Sequence, residues 1–80
     1  MKAVVSVTLK PGVLDPQGKA IAQALHNLGF SSVTDVRVGK RITVQTTETD
    51  PAAAHAQAEE MARKLLANTV IESFQVEIVP

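Results

Sequence analysis

The chain has 80 residues, and we expect a single domain spanning residues 1–80. Eight basic and eight acidic side chains cancel, so no charged patch indicates binding to nucleic acid. There is no cysteine, tryptophan or tyrosine and there are only two phenylalanines, which excludes disulfides, thiolate metal sites and aromatic platforms for single-stranded DNA or RNA. A chain this short hides only about 60% of its unfolded surface, so it either folds alone with a thin margin of stability or shares a core with a partner.

Residues 2–10 alternate between apolar and polar side chains, the period of a strand with one buried face. The buried side of that strand would carry Ala3, Val5, Val7 and Leu9. Val4 is the exception, because it is an apolar residue on the polar side.

The segment that follows, residues 10–18, begins and ends with clear local signals. Pro11-Gly12 predicts a tight turn, since proline presets one backbone angle and glycine adopts conformations that other residues avoid. Asp15-Pro16 predicts a helix start, with Asp15 as the cap and Pro16 at the first helical position.

The same segment also departs from local rules. Val13 and Leu14 are apolar residues in a connection, and Gly18 lies in the first helical turn, where glycine costs about 1 kcal/mol relative to alanine. Gln17 stands one residue too early to complete a capping box. Such departures are typical of functional surfaces. The alternative is structural: Val13 and Leu14 pack under the domain, and Gly18 relieves crowding.

Residues 16–28 change to a helical period. Their apolar stripe consists of Ile21, Ala24, Leu25 and Leu28. Gly29 then supplies the left-handed residue that commonly ends a helix.

Residues 33–39 and 41–47 are predicted to form a hairpin, because Val36 and Val38 alternate with polar residues in the first run and Ile42 and Val44 do so in the second. Gly39-Lys40 would be the tight turn between them, of type II′ with glycine first, or a glycine bulge.

A second helix is predicted over residues 51–67, capped by Asp50 and begun by Pro51. Its inward stripe would be Ala54, Ala58, Met61, Ala62 and Leu65. Glu59 with Arg63 and Glu60 with Lys64 form i, i+4 pairs on a solvated face. Asn68 would end the helix, and residues 72–79 alternate as a last strand.

The order strand, helix, strand, strand, helix, strand is that of a ferredoxin-like α+β fold. We therefore expect a four-stranded antiparallel sheet with two helices on one face. The opposite face would carry a semi-polar set suited to a subunit contact: Val4, Ser6, Thr8, Thr43, Gln45, Gln75 and Val79. We expect no membrane segment and a cytoplasmic location.

The sequence contains no catalytic constellation. The serines lie outside any nucleophile elbow, and no glycine-rich phosphate loop is present. His26 and His55 are interpreted as surface residues, so neither a catalytic residue nor a metal site is predicted.

Four stretches of the chain resemble the PurS family, the small subunit of phosphoribosylformylglycinamidine synthase. They are Leu9 to Gly18, Ala24-Leu25 with Leu28-Gly29, Val36 to Lys40, and Leu65 to Asn68. The resemblance covers essentially the whole chain. Thr69 departs from it, since family members often have proline there.

The resemblance implies a homodimeric, non-catalytic subunit of an ATP-dependent ligase complex in purine biosynthesis. Its partners would be a glutaminase subunit (PurQ-like), which releases ammonia, and a synthetase subunit (PurL-like), which uses ATP and Mg to activate formylglycinamide ribonucleotide. The small subunit would bridge the two and assist ammonia transfer, without binding a cofactor itself. The predicted partner-binding residues are Lys10, Gly12, Val13, Leu14, Gln17, Gly18, Arg37, Gly39 and Lys40. The alternative is a stand-alone regulatory domain that binds a small ligand through its turn glycines.

Overall fold

The computed structural model describes residues 1–80 and contains three strands and two α-helices. In chain order these are β1 (Lys2–Leu9), α1 (Pro16–Asn27), β2 (Gly39–Gln45), α2 (Pro51–Met61) and β3 (Glu72–Val79). One π-helical turn, Ala62–Leu66, prolongs α2. The α+β class and the positions of the first and last strands are confirmed.

The sheet has the order β2-β1-β3, with β1 in the centre and antiparallel to both neighbours. Val5 of β1 lies opposite Ile42 of β2 and Val76 of β3. Three alanines of the second helical segment, Ala54, Ala58 and Ala62, are buried. Small side chains at these positions let the helix approach the sheet closely, and the core forms around Val5 and Val7.

The predicted inward stripe of the second helix is correct for its alanines and wrong for its two large residues. Met61 is 38% exposed and Leu65 is 83% exposed. The N–H of Ala67 bonds to the carbonyl of Ala62, an i to i+5 bond that shifts the helical period. As a result Leu66, rather than Leu65, packs against the core.

The predicted hairpin is wrong, and so is the four-stranded sheet. Residues 33–38 belong to no strand of the sheet. Gly39 and Lys40 do not turn, because they lie in β2 opposite Thr8 and Val7. Gly39 also lacks the positive φ that a type II′ turn requires. The chain therefore runs straight through the expected turn and adds residues 39 and 40 to the pairing with β1.

A further correction concerns α1, which does not cover the sheet of its own chain. Gly18 is its one buried residue, and the predicted stripe is largely exposed, with Ile21 at 38% and Leu28 at 73%. The radius of gyration is 16.0 Å, against about 12 Å for a compact domain of this length. The molecule measures 49 × 26 × 14 Å, because α1 extends away from the sheet.

The helix ends follow local chemistry. The Asp15 carboxylate accepts from the N–H of Gly18, and the Asp50 carboxylate accepts from that of Ala52. Gly29 has φ +99° just after α1, as a helix stop requires. Both predicted i, i+4 ion pairs of the second helix form, at 3.7 and 2.8 Å. Neither helix is long and apolar enough to cross a membrane.

Candidate partner-binding surface

The connection from β1 to α1 starts with a type II turn. The N–H of Val13 donates to the carbonyl of Lys10 at 3.1 Å, and Gly12 has φ +85°. Pro11 occupies the second position of the turn, where its fixed φ fits. Lys10 anchors the turn to the connection before β3, since its Nζ donates to the carbonyl of Thr69 at 2.8 Å. Lys10 therefore holds the start of the connection against the chain that precedes β3.

Asp15 joins this connection to the extended segment 33–38. Its side chain is buried, and its Oδ1 and Oδ2 accept from the N–H groups of Gly18 and Val38, each at 2.8 Å. The Val38 N–H, then the Gly18 N–H and the nearby Arg37 charge, hold the pKa of Asp15 below its usual value, although burial opposes them. A helix cap needs only the first of the two bonds. The second ties residue 38 to the start of α1.

Gly18 makes this close approach possible. A Cβ built on Gly18 would overlap the carbonyl oxygen of Val36, and it would lie 3.0 Å from the Cγ and Oδ2 of Asp15. The backbone of the extended segment therefore touches the backbone of the first helical turn. The departure from helix propensity at Gly18 has a structural cause within the chain, so the crowding alternative is correct for this residue.

Arg37 makes a contact in the opposite direction, from the extended segment 33–38 back to the loop between β1 and α1. Its Nη1 donates to the carbonyl of Val13 at 2.8 Å, and its Nη2 donates to the carbonyl of Lys10 at 3.2 Å. The planar guanidinium suits this bridging of two fixed acceptors. Asp15 thus reaches from the connection to residue 38, while Arg37 reaches back from the extended segment to the connection. Together they fix the two stretches as one body.

Asp15 and Arg37 fasten the connection between β1 and α1 to residues 33–38, and we call it the clamped connection. It presents an apolar side chain to solvent. Leu14 is 62% exposed, whereas its neighbour Val13 is half-buried against the domain. Pro11, Gly12 and Gln17 are also exposed. A depression of about 500 Å³ lies at Pro11 and Gly12, lined by Thr8, Leu9, Pro11, Gly12, Asp35, Arg37 and Val38. The surface therefore combines a rigid backbone with an exposed leucine.

The predicted partner-binding residues lie close together. The last two residues of the predicted set, Gly39 and Lys40, line a second depression of about 230 Å³ together with Asp15 and Gln17. Gly39 permits a close contact of its own, since a Cβ there would lie 2.8 Å from the carbonyl oxygen of Val7. Sequence reasoning missed Asp35, which lines the larger depression, and no local signal marks it. Thr8 lines the same depression, whereas the strand pattern assigned it only to the semi-polar face of the sheet.

The two histidines contact groups on or near their own helices. A ring nitrogen of His26 lies 2.7 Å from the carbonyl oxygen of Val33, and His55 pairs with Glu59 at 2.9 Å. No three metal-ligating side chains cluster.

Comparison with known proteins gives one consistent result. The family model "PurS: Phosphoribosylformylglycinamidine (FGAM) synthase" matches residues 2–80. The PurS subunit of this synthase from Bacillus subtilis is 44% identical over 79 residues, covering 96% of this chain and 90% of the relative. The corresponding subunit from Synechocystis sp. is 47% identical over 72 residues, covering 90% and 72%.

Solved structures agree. The B. subtilis PurS structure has a TM-score of 0.84 at 45% identity and covers 95% of this chain and 94% of its own. A chain in the structure of PurLQS from Thermotoga maritima has a TM-score of 0.85 at 26% identity, with coverage of 95% and 93%. The elongated arrangement of this chain is therefore shared with these structures over nearly its full length.

Proposed function

The chain belongs to the PurS family of FGAM synthase, and on that basis we propose that it joins the glutaminase and synthetase subunits of this purine-biosynthesis enzyme. The complex converts formylglycinamide ribonucleotide, glutamine and ATP to formylglycinamidine ribonucleotide. The small subunit contributes no catalytic group and binds neither ATP nor Mg itself. It holds its PurQ-like and PurL-like partners together and assists the passage of ammonia between them. The similarity to a chain of PurLQS supports these partners.

The functional unit is a homodimer. Eight of the 80 residues form the buried apolar core, which is little for a chain that has no disulfide to stabilise it. A second copy would supply the missing apolar contact.

The observation that carries the proposal is the clamped connection. Hydrogen bonds of Asp15, Arg37 and Lys10 fix the connection, yet the side chain of Leu14 is exposed to solvent. Fixing a loop before binding reduces the entropy lost on association. We assign the partner contact to Leu14 and the exposed residues around it, with Arg37 and Asp15 as the groups that hold them in place.

The test replaces Leu14 with glutamine, using Leu65→Gln as a control because Leu65 is also largely exposed, at 83% against 62% for Leu14, but lies on the second helical segment. Burying the amide unpaired costs about 1–3 kcal/mol, so about fivefold to 150-fold more small subunit should be needed for half-maximal glutamine-dependent activity. Melting should stay near that of the parent for both variants, and activity should change only for Leu14→Gln. Equal effects of the two variants would contradict the assignment.

Two further outcomes bear on the function itself. The purified chain should turn over neither glutamine nor ATP until its two partners are added. Turnover that survives exhaustive purification would refute a non-catalytic role. Capture of a small metabolite by the isolated chain, with no glutaminase or synthetase recovered in co-purification, would instead support a stand-alone regulatory domain.

A further inference from the structure

The connection between the second helical segment and β3 contains a tight turn, residues 68–72, here called the 68–72 turn. The carbonyl of Asn68 accepts from the N–H groups of Ile71 and Glu72, at 3.1 and 2.7 Å. The side-chain oxygen of Asn68 accepts from the N–H of Val70 at 3.1 Å, and its backbone N–H donates to the Glu72 carboxylate at 2.7 Å. These local hydrogen bonds fix the backbone of the turn.

The 68–72 turn presents apolar side chains to solvent. Val70 is 80% exposed and Ile71 is 39% exposed, and neither packs against the core around Val5 and Val7. A rigid apolar surface loses less conformational entropy on association than a mobile one. The turn therefore shares two properties with the clamped connection: its backbone is fixed by hydrogen bonds, and an apolar side chain lies exposed.

Lys10 joins the 68–72 turn to the clamped connection. Its N–H donates to the carbonyl of Ile71 and its Nζ donates to the carbonyl of Thr69, each at 2.8 Å. On the side of the clamped connection, the carbonyl of Lys10 accepts from the Nη2 of Arg37 at 3.2 Å. The backbone and the ammonium of Lys10 thus both bind within the chain, so this residue links two loops.

Both loops leave the sheet at the same end. Leu9, the last residue of β1, lies opposite Glu72, the first residue of β3. Glu72 also lines the smaller depression, together with Gln17 and Lys40 of the candidate partner-binding surface. The 68–72 turn is therefore continuous with the surface that we assign to the partner contact.

We propose that the 68–72 turn is a second contact with the same partner subunit that binds Leu14, and that Lys10 is the positioning residue that holds the two contacts at a fixed separation. Because one residue fixes both loops at one end of the sheet, a single partner surface meets both. That surface is apolar, to match the side chains of Leu14, Val70 and Ile71. This inference rests on the proposed function and extends its contact beyond the clamped connection.

Photo-cross-linking in the assembled complex tests the shared partner, because the native sequence has no cysteine that would compete for the label. Leu14→Cys and Val70→Cys are each labelled with a benzophenone maleimide, mixed with the glutaminase and synthetase subunits and irradiated. Ala56→Cys, at an exposed position of α2, gives the background. We expect positions 14 and 70 to become attached to the same partner subunit, well above that background.

A titration of glutamine-dependent activity measures how much the second contact contributes. Val70→Gln is compared with Leu65→Gln, since Leu65 is 83% exposed, close to the 80% of Val70, but lies outside the 68–72 turn. An amide buried unpaired should raise the small-subunit concentration for half-maximal rate about fivefold to 150-fold. Leu65→Gln should leave that concentration unchanged.

The outcomes separate this contact from the proposed function. Cross-links to two different partner subunits, or from position 70 to a second copy of the small subunit, would overturn the second contact and leave the proposed function standing. Equal effects of Val70→Gln and Leu65→Gln, or a dimer weakened by Val70→Gln in sedimentation equilibrium, would do the same. Failure of the parent chain to support activity with both partners would refute the proposed function, and the second contact with it.

The positioning role of Lys10 has its own test. Lys10→Met keeps most of the side-chain length and removes the ammonium, so the carbonyl of Thr69 loses its donor. We expect about fivefold weaker assembly, the equivalent of one hydrogen bond, with less cross-linking from position 70 and unchanged cross-linking from position 14. Lys10→Arg, which retains a donor, should restore assembly, and Lys19→Met, at an exposed lysine of α1, is the control. A Lys10→Met protein that assembles like the parent would overturn the positioning role.

Discussion

Replacing Gly18 with alanine adds one methyl group at the point where two backbones meet. The new Cβ would overlap the carbonyl oxygen of Val36 and press on the Asp15 carboxylate. To reach an ordinary carbon–oxygen contact, the extended segment must retreat by roughly 1 Å from α1. That movement pulls the N–H of Val38 away from Asp15, so the added methyl also weakens the clamp.

The expected size of the effect follows from two opposing contributions. Inserting a methyl group into a tight contact costs about 1–3 kcal/mol, and the overlap with backbone on one side places this site at the upper end. Alanine recovers up to about 1 kcal/mol of helix propensity relative to glycine. The net loss is about 2 kcal/mol, which lowers Tm by about 10 °C for a domain of this size.

Thermal unfolding followed by circular dichroism measures this loss, at one protomer concentration because the melting of an oligomer depends on concentration. Lys19→Ala is the control, since it changes an exposed neighbour in the same helix. For Gly18→Ala we expect melting and assembly to fall together, in contrast to Leu14→Gln. A Gly18→Ala protein that melts at or above the parent's temperature would refute the close approach of Val36.

Three further predictions concern charged groups. Because the pKa of Asp15 is lowered from 3.8 on folding, the carboxylate stabilises the fold above that pH and ceases to do so as the pH falls through the folded-state value. The parent should therefore have a higher Tm than Asp15→Asn at neutral pH. The difference in Tm between the two proteins should shrink as the pH falls below about 4. A difference in Tm that stays constant with pH would contradict this. Arg37→Lys should speed amide exchange in the 10–13 turn and weaken partner assembly, because an ammonium cannot bridge two carbonyls as a guanidinium does, while Arg41→Lys should change neither. Lys64→Ala should leave Tm almost unchanged, since an exposed i, i+4 pair contributes only about 0.3–0.5 kcal/mol, and a fall of several degrees would disprove that estimate.

The sequence by itself determined the elements whose signals are local. Alternation located β1 and β3, and the Asp-Pro pairs at residues 15–16 and 50–51 located the starts of both helices. The Pro11-Gly12 turn was equally predictable. These features depend on the side-chain period and on hydrogen bonds between residues a few positions apart, so they need no knowledge of the remaining structure.

Tertiary structure decided where residues 16–38 lie and what the residues of the candidate site do. The alternation of residues 33–38 predicts a strand but is the same whether that strand pairs within the chain or with a second copy. Local chemistry at Gly39-Lys40 favours a turn, but pairing with β1 overrides it. The sequence predicts only a helix cap at Asp15 and an unfavourable helix residue at Gly18. Their contacts with Val38 and Val36, about 20 residues away in sequence, form only in the folded chain. Contacts between residues so distant in sequence leave no periodic or local signal, so the clamp that fixes the candidate surface emerged only from the folded chain.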